Sequence, residues 1–246
     1  MNVLITGASR GIGRATARLA GEKHWNVGVN YVRNEDAAKS TLEEVKTAGG
    51  QAMALQGDVS REKDVLKLFN SMEKVYGAVN GLVINAGITA QRMPLADMSL
   101  DRLKKMFDTN VLGSYLCARE AARRMPQARG GNGGSIVIVS SAASRLGASN
   151  EYVDYAGSKG ALDSLTLGLS KELGPLRVRV NAVRPGLIDT EIHEASGDSE
   201  RAIRLGKQTP LQRAGTADEV AEAIIWLLTP ASSYVTGALV DVAGGR

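Results

Sequence analysis

Short apolar runs alternate with amphipathic stretches from one end of this 246-residue chain to the other. Seven runs read as strands: Asn2 to Thr6, Asn26 to Tyr31, Gln51 to Gln56, Gly81 to Asn85, Ser135 to Ser140, Arg177 to Val183 and Leu239 to Val242. Between them, apolar residues recurring at three and four predict helices over Gly11 to Glu22, Glu35 to Ala48, Glu62 to Tyr76, Asp101 to Met125, Tyr155 to Leu173 and Ala217 to Leu228. Strand and helix in strict alternation predict an α/β fold: a doubly wound, Rossmann-type, seven-stranded parallel sheet with helices on both faces. Ligands of that architecture bind beyond the C-terminal ends of the strands. Two segments break the rhythm. Gln127 to Gly134 reads as a flexible surface loop, and Leu187 to Pro210, rich in charge and small residues, reads either as a substrate lid or as a surface helix pair.

Composition narrows the picture without changing it. With 43% hydrophobic and 23% charged residues the chain has material for one large core, and a single domain over 1–246 is expected. The net charge of +4 comes from 30 basic residues interspersed with 26 acidic ones, and aromatics are 4%, which speaks against nucleic acid as a partner. The densest basic stretch, Arg119, Arg123, Arg124 and Arg129, reads as a solvated helix face. A single cysteine, Cys117, excludes an internal disulfide and fits a reducing compartment; its helical setting suits a buried thiol rather than a nucleophile. His24 and His193 are far apart and lack the spacing of a metal cluster, so no metal site is expected. No run approaches the roughly 18 apolar residues that cross a bilayer, and the chain opens on a strand-like segment; a cytoplasmic protein is expected.

Candidate chemistry begins immediately after the first strand. Thr6-Gly7-Ala8-Ser9-Arg10-Gly11-Ile12-Gly13 leads into the first helix, the setting of a dinucleotide-binding turn. There Gly7 permits a tight turn, Gly11 lets backbone approach a pyrophosphate, Gly13 allows helix to pack on strand, and the helix N-terminus offers N–H groups to phosphate. The second strand ends Asn30-Tyr31-Val32-Arg33, with no carboxylate before Glu35. An acid at this place binds ribose hydroxyls, whereas Arg33 and Arg10 suit a 2′-phosphate, so NADP(H) is favoured over NAD(H). Tyr155-Ala-Gly-Ser-Lys159 then places a phenol and an ammonium one helical turn apart, where the cation favours the phenolate and makes a general acid/base of it. With six tyrosines and eleven lysines in 246 residues this spacing alone arises about 0.27 times by chance. Its surroundings therefore decide.

Taken in order, these residues resemble the short-chain dehydrogenase/reductase family over essentially the whole chain. Thr6 to Gly13, including Ser9 and Ile12, matches the family's glycine-rich motif; Asp58-Val59 resembles its adenine contact; Asn85-Ala86-Gly87 resembles the segment that stabilises the sheet and lines the cofactor cleft. Asn110, Ser141, Tyr155 and Lys159 fall where the family keeps its catalytic tetrad, and Pro185-Gly186 with Ile188 and Thr190 resembles its nicotinamide-side contacts. Ile84 replaces an asparagine common in the family, and Ser141 precedes Tyr155 by fourteen positions where thirteen is common. Ser144 and Gly147, three and six places on, select Ser141 over Ser140, which then reads as the end of a strand. Tyr152 lacks an ammonium partner, because Ala156 follows it by four.

The resemblance implies hydride transfer between a nicotinamide and a carbonyl or secondary alcohol. In this reading Tyr155 is the proton donor, Lys159 tunes it and holds the cofactor ribose, Ser141 donates to the substrate oxygen, and Asn110 places a water that links Lys159 to solvent. The substrate classes it implies are a ketone to be reduced, a sugar or polyol to be oxidised, or a 3-oxoacyl group on acyl-carrier protein. Arg124 and Arg129 suit an acidic carrier, but Leu176 stands where such reductases tend to keep a basic residue, with Arg177 beside it. A non-catalytic NADP(H)-sensing protein is the reading of a different class, and its usual sign, loss of the tyrosine or lysine, is missing. The resemblance also implies a homotetramer built on the helices of Asp101 to Met125 and Tyr155 to Leu173, with a second interface along the tail from Tyr234.

Overall fold

A computed structural model describes residues 1–191, 198 and 200–246. Its elements run in chain order as β1 (Asn2–Ile5), α1 (Gly11–Glu22), β2 (Asn26–Tyr31), α2 (Glu35–Thr47), β3 (Gln51–Gln56), α3 (Glu62–Tyr76) and β4 (Gly81–Ile84). Then follow α4 (Leu100–Phe107), a π-helical turn at Asp108–Leu112, α5 (Gly113–Arg124), β5 (Gly134–Val139), α6 (Ala143–Leu146), α7 (Val153–Leu173) and β6 (Val178–Pro185). The remainder is β7 (Ile188–Asp189), α8 (Arg201–Gly206), β8 (Gly215–Thr216), α9 (Ala217–Leu228) and β9 (Leu239–Val242).

Seven strands form one parallel sheet in the order β3-β2-β1-β4-β5-β6-β9. Successive side chains along a strand point to opposite faces, and both faces are apolar here because helices cover both. Val3 and Ile5 of β1 and Val137 and Val139 of β5 join α1, α2 and α9 in one core cluster. Leu4, Ile136 and Ile138 join α3, α5 and α7 in the other. The strand order reverses direction between β1 and β4. That split is where a crevice opens in a doubly wound sheet.

The seven predicted strands are all present, with ends shifted by no more than two residues, as end-fraying and terminal pairing readily produce. Three departures are informative. Asp101 to Met125 is not one uniform helix: α4 and α5 are joined through the π turn, whose extra residue per turn leaves the apolar periodicity nearly unchanged. The catalytic-helix candidate starts two residues early, at Val153. A small parallel pair, β7 with β8, ties Ile188–Asp189 to Gly215–Thr216 just before the capping box of Thr216 and Glu219 opens α9. Of the segment 187–210 read as a lid, residues 192–197 and 199, His193 among them, lie outside the described residues.

Candidate active site

The groove at the β1/β4 split is floored by the glycine-rich turn. Gly7 has φ +62° and Gly11 φ +52°, left-handed conformations that favour glycine. A Cβ on Gly13 would lie 2.5 Å from the Gly7 carbonyl oxygen and 2.6 Å from Asn85 Nδ2, so helix α1 can sit this close to the turn only with glycine there. A Cβ on Gly11 would meet Thr190 and Glu191 at an ordinary 3.6 Å, so within the protein its φ is the constraint. Arg10 precedes α1 in extended conformation without capping it, and the first turn of α1 carries no acid. Its leading N–H groups therefore have no capping side chain, a setting that suits a phosphate. These features fit a dinucleotide.

Hydrogen bonds from across the split hold the turn. Asn85 Nδ2 donates to the carbonyls of Thr6 and Gly7, both at 2.9 Å, while the Asn85 and Ala86 N–H groups donate to Thr6 Oγ1 at 2.9 and 3.0 Å. The Asn30 side chain, at a position expected to meet the cofactor, turns inward. Buried, it accepts from the Gly7 N–H at 3.1 Å and donates to the carbonyls of Leu55 and Gly57 at 3.1 and 2.9 Å, so it braces the turn from beneath. Tyr31 is likewise buried, in the core cluster that includes Val29 and Ala38. Arg10 and Arg33 are exposed, as a phosphate fork requires. Ser9 is half-buried beside Arg10. Asp58 holds the Ser60 hydroxyl at 2.7 Å, and Val59 packs at the start of α5, where a Cβ on Gly113 would lie 2.8 Å from its Cγ2.

Ser141, Tyr155 and Lys159 line one cavity with Ile12, Asn85 and Gly87, beyond the C-terminal ends of β4, β5 and β6. Ser141 follows β5 and its Oγ accepts from the Ala143 N–H at 3.1 Å, which leaves the hydroxyl proton to be donated elsewhere. Tyr155 is its partner. Burial raises the phenol above its ordinary value, and the hydrogen bond with Ser141 partly offsets this. The sequence pattern pointed instead to Lys159 as the group that lowers Tyr155. Lys159 Nζ stands 5.6 Å from the centre of the tyrosine ring and donates to the Val139 carbonyl at 2.8 Å. Burial pushes this ammonium down to about 8.

Asn110 lies in the π turn and is fully buried. Its Oδ1 accepts from the Ile88 N–H at 2.8 Å, and its Nδ2 reaches the Ile88 carbonyl at 3.0 Å and Ser158 Oγ at 3.1 Å. Gly87 intervenes between it and the lysine: a Cβ there would stand 3.4 Å from both Asn110 Oδ1 and Lys159 Nζ. On the far wall, the Pro185 carbonyl accepts from the Ala142 N–H at 2.9 Å, the Gly186 N–H donates to Val242 at 3.0 Å, and Ile188 and Thr190 reach the cavity.

Charged pairs around this cavity were not singled out in the sequence. Arg102 Nε and Nη2 grip the wholly buried Asp154 carboxylate at 2.8 and 3.2 Å, and Nη1 reaches the Gln91 carbonyl at 2.6 Å. Arg201 forks onto Glu151 at 3.0 and 2.5 Å and stacks over Tyr152 at 5.5 Å, and all three line the cavity. Asp163 accepts from Arg184 at 2.8 and 3.1 Å and from Ser140 Oγ at 2.7 Å. Ser140 is thus buried in a network, as well as following the strand. The partners in these pairs stand 52, 50 and 21 residues apart. No local motif announces such contacts.

A family sequence model described as Enoyl-(Acyl carrier protein) reductase matches residues 7–246. The uncharacterized oxidoreductase YgfF of Escherichia coli strain K12 is 48% identical over 243 residues, spanning 99% of this chain and 98% of its own length. An L-rhamnose 1-dehydrogenase (NAD(P)(+)) of Sphingomonas sp. strain SKA58 is 36% identical over 245 residues, spanning 99% and 94%. Among solved structures, a double mutant of a Serratia marcescens short-chain dehydrogenase/reductase superposes with a TM-score of 0.90 at 30% identity, covering 99% of this chain and 96% of that one. A match that runs from the glycine turn to the last residue, shared with relatives that are oxidoreductases by name, shows that this chain belongs to the short-chain dehydrogenase/reductase family and is an oxidoreductase.

Proposed function

We propose that the protein moves a hydride between NADP(H) and the carbonyl or secondary alcohol of a small polar molecule, as ketone reductase or as sugar or polyol dehydrogenase. The observation that carries this reading is the convergence of Ser141, Tyr155 and Lys159 on a cavity that opens beside the Gly7–Gly13 turn. The nicotinamide, when bound, supplies or accepts the hydride. Gly7, Gly11 and the start of α1 would receive the phosphates of the dinucleotide, Arg10 and Arg33 would receive a 2′-phosphate, and Lys159 would hold a ribose hydroxyl. Tyr155 gives its proton to the alkoxide oxygen in reduction and takes it back in oxidation. Ser141, its oxygen already fixed by the Ala143 N–H, donates to that same oxygen as charge develops there. A phenol raised by burial is a reluctant base, so a charged Lys159 and a bound ribose beside it would bring it toward the working range.

The polar wall of Glu151 and Arg201 favours a substrate with hydroxyl groups over a plain hydrocarbon ketone. The name of the Sphingomonas relative points the same way. An acyl-carrier protein is the second reading. Against it, most of the basic stretch that would attract an acidic carrier is already paired, Arg124 with Glu73 and Glu120, Arg119 with Glu62 and Arg123 with Glu120, which leaves Arg129, exposed and bonded only to the Ala122 carbonyl, to meet a carrier. A cytoplasmic homotetramer completes the proposal. Phe107, Leu112, Tyr115 and Leu167, exposed at the α4, π-turn, α5 and α7 surfaces, are apolar residues that a partner would cover. Light scattering that found a monomer at micromolar concentration would remove the tetramer. No helix among the described residues is long and apolar enough to cross a membrane.

A panel of ketones, aldoses and polyols with both cofactors, read by nicotinamide absorbance, tests the chemistry. Tyr155→Phe should lower turnover by about 10²–10⁴-fold while leaving cofactor affinity nearly unchanged. Near-parent turnover in that variant would sink the acid/base assignment. Tight cofactor binding without turnover on any substrate would favour the sensing protein instead.

A further inference from the structure

We propose that Arg184 is a positioning residue for Lys159: by holding the Asp163 carboxylate against β6, it keeps that carboxylate from capturing the lysine one helical turn before it. The inference rests on the reading of Lys159 as the group that serves Tyr155. Lys159 and Asp163 stand at i and i+4 on α7, the spacing at which an ammonium and a carboxylate ordinarily pair. Both are buried, at 4% and 9% exposure, where such a pair would be strongest. Yet among the described residues no carboxylate oxygen lies within ion-pair distance of Lys159 Nζ, which turns to the Val139 carbonyl and the Tyr155 ring. The carboxylate is engaged on its other side. One oxygen of Asp163 accepts both Nε and Nη2 of Arg184, and the other accepts Ser140 Oγ, which also lies 3.1 Å from the Lys159 carbonyl.

Arg184 is in turn held in place. Its Nη1 stands 4.0 Å from Asp241 on β9, and Asp241 pairs with Arg145 at 3.4 Å. Pro185 and Gly186, which wall the cavity, follow Arg184 directly, so the same fork joins the lysine's turn of α7 to that wall. Among the described residues, the titratable or charged groups that bear on Lys159 are Tyr155 and Asp163 from α7 and, through Asp163, Arg184 from β6. The neighbours from β4, β5 and the π turn are neutral: Gly87, the Val139 carbonyl, Ser140, Ser141 and Asn110. Asp163 thus raises the lysine against the lowering effect of burial, and Arg184 limits how far it does so.

The two single variants should move Lys159 in opposite directions. Asp163→Asn keeps the shape and the Ser140 contact but removes the anion, so Lys159 should titrate lower. Arg184→Gln frees the anion, so Lys159 should titrate higher and swing from Val139 toward Asp163. The titration is read on the free protein by carbon-13 NMR of labelled lysine, with the resonance assigned by Lys159→Met, and beside it the pH profile of turnover. We expect shifts of about one pH unit or more of opposite sign, with the Asp163→Asn/Arg184→Gln double variant close to Asp163→Asn and more active than Arg184→Gln. Shifts of the same sign, or none, overturn the proposal. Should Arg184→Gln not fold, Asp163→Asn and the double variant decide it: both must titrate below the parent, and a parent-like value in either overturns it. If the NMR shifts occur as expected but turnover does not follow them, the positioning stands and the catalytic reading of Lys159 fails.

Discussion

The two flanks of the groove are built from opposite materials. On the cofactor flank, the turn from Gly7 to Gly13 is shaped by backbone angles and braced by neutral groups: Asn30, Asn85 and Thr6 make its hydrogen bonds, and none of them is charged. On the flank of Ser141, Tyr155 and Lys159, the structure holds charges largely out of water, Lys159, Asp163 with Arg184 and Asp154 with Arg102, beside the half-buried Glu151 on Arg201. A neutral amide network binds any phosphate-bearing partner of the right shape and tolerates a wide pH range. Buried charge is costly to keep, and it responds to pH and to the loss of a single partner. The glycine-turn flank therefore holds its shape at little electrostatic cost, whereas the other flank carries the cost of desolvated charge.

Three variants test that contrast. The largest effect on stability is expected at Arg102. Arg102→Met leaves the Asp154 carboxylate, wholly buried beside Tyr155, without its cation, and should cost about 3–5 kcal/mol by urea unfolding. A loss below about 1 kcal/mol would mean that water reaches Asp154 and that this flank is less dry than described. Lys159→Met should do the reverse, stabilising the free protein by up to about 3 kcal/mol at neutral pH. The sign follows from a lysine at about 8 when folded against an ordinary 10.5: the native state binds fewer protons between those values. The cost of the buried ammonium is therefore fully present below the lower value and vanishes as pH rises past the upper one. The variant's advantage should fade over that window, and one that is independent of pH would contradict the buried charge. On the cofactor flank, Gly13→Ala drives a methyl onto the Gly7 carbonyl and should cost about 1–3 kcal/mol, without pH dependence, together with weakened cofactor binding by calorimetry.

The same division explains which parts were legible in the sequence. The sheet was, because a buried strand shows itself in four to six neighbouring residues. The glycine turn was legible for the same reason: its constraint is local, and Gly7 and Gly11 adopt the left-handed angles that such a turn needs. The burial of the Asn30 and Tyr31 side chains was not legible, because the end of a strand alternates faces, and position alone did not tell the outward side from the core. The π turn at Asp108–Leu112 was hidden, since one inserted residue shifts a helical stripe only slightly. Asn110 was nonetheless singled out, through its place in a resemblance rather than through periodicity. The charge pairs could not be seen: Arg102 and Asp154 meet only after β5 and two helices have been folded between them. Tyr155 and Lys159 stood out in the sequence by their spacing, but their partners in the fold, Ser141 for the phenol and the Val139 carbonyl for the ammonium, lie away from that spacing.

Because every strand of the main sheet runs the same way, Ser141, Tyr155 and Lys159 gather at the rim formed by the C-terminal ends of the strands. The turn at Gln127–Gly130 leads into the start of β5 on the opposite rim, and nothing stands within 4 Å of the place where a Gly130 side chain would begin. A peptide tag or a surface tether inserted at Gly130 would leave the groove facing solution, so the protein could be immobilised with its working side outward.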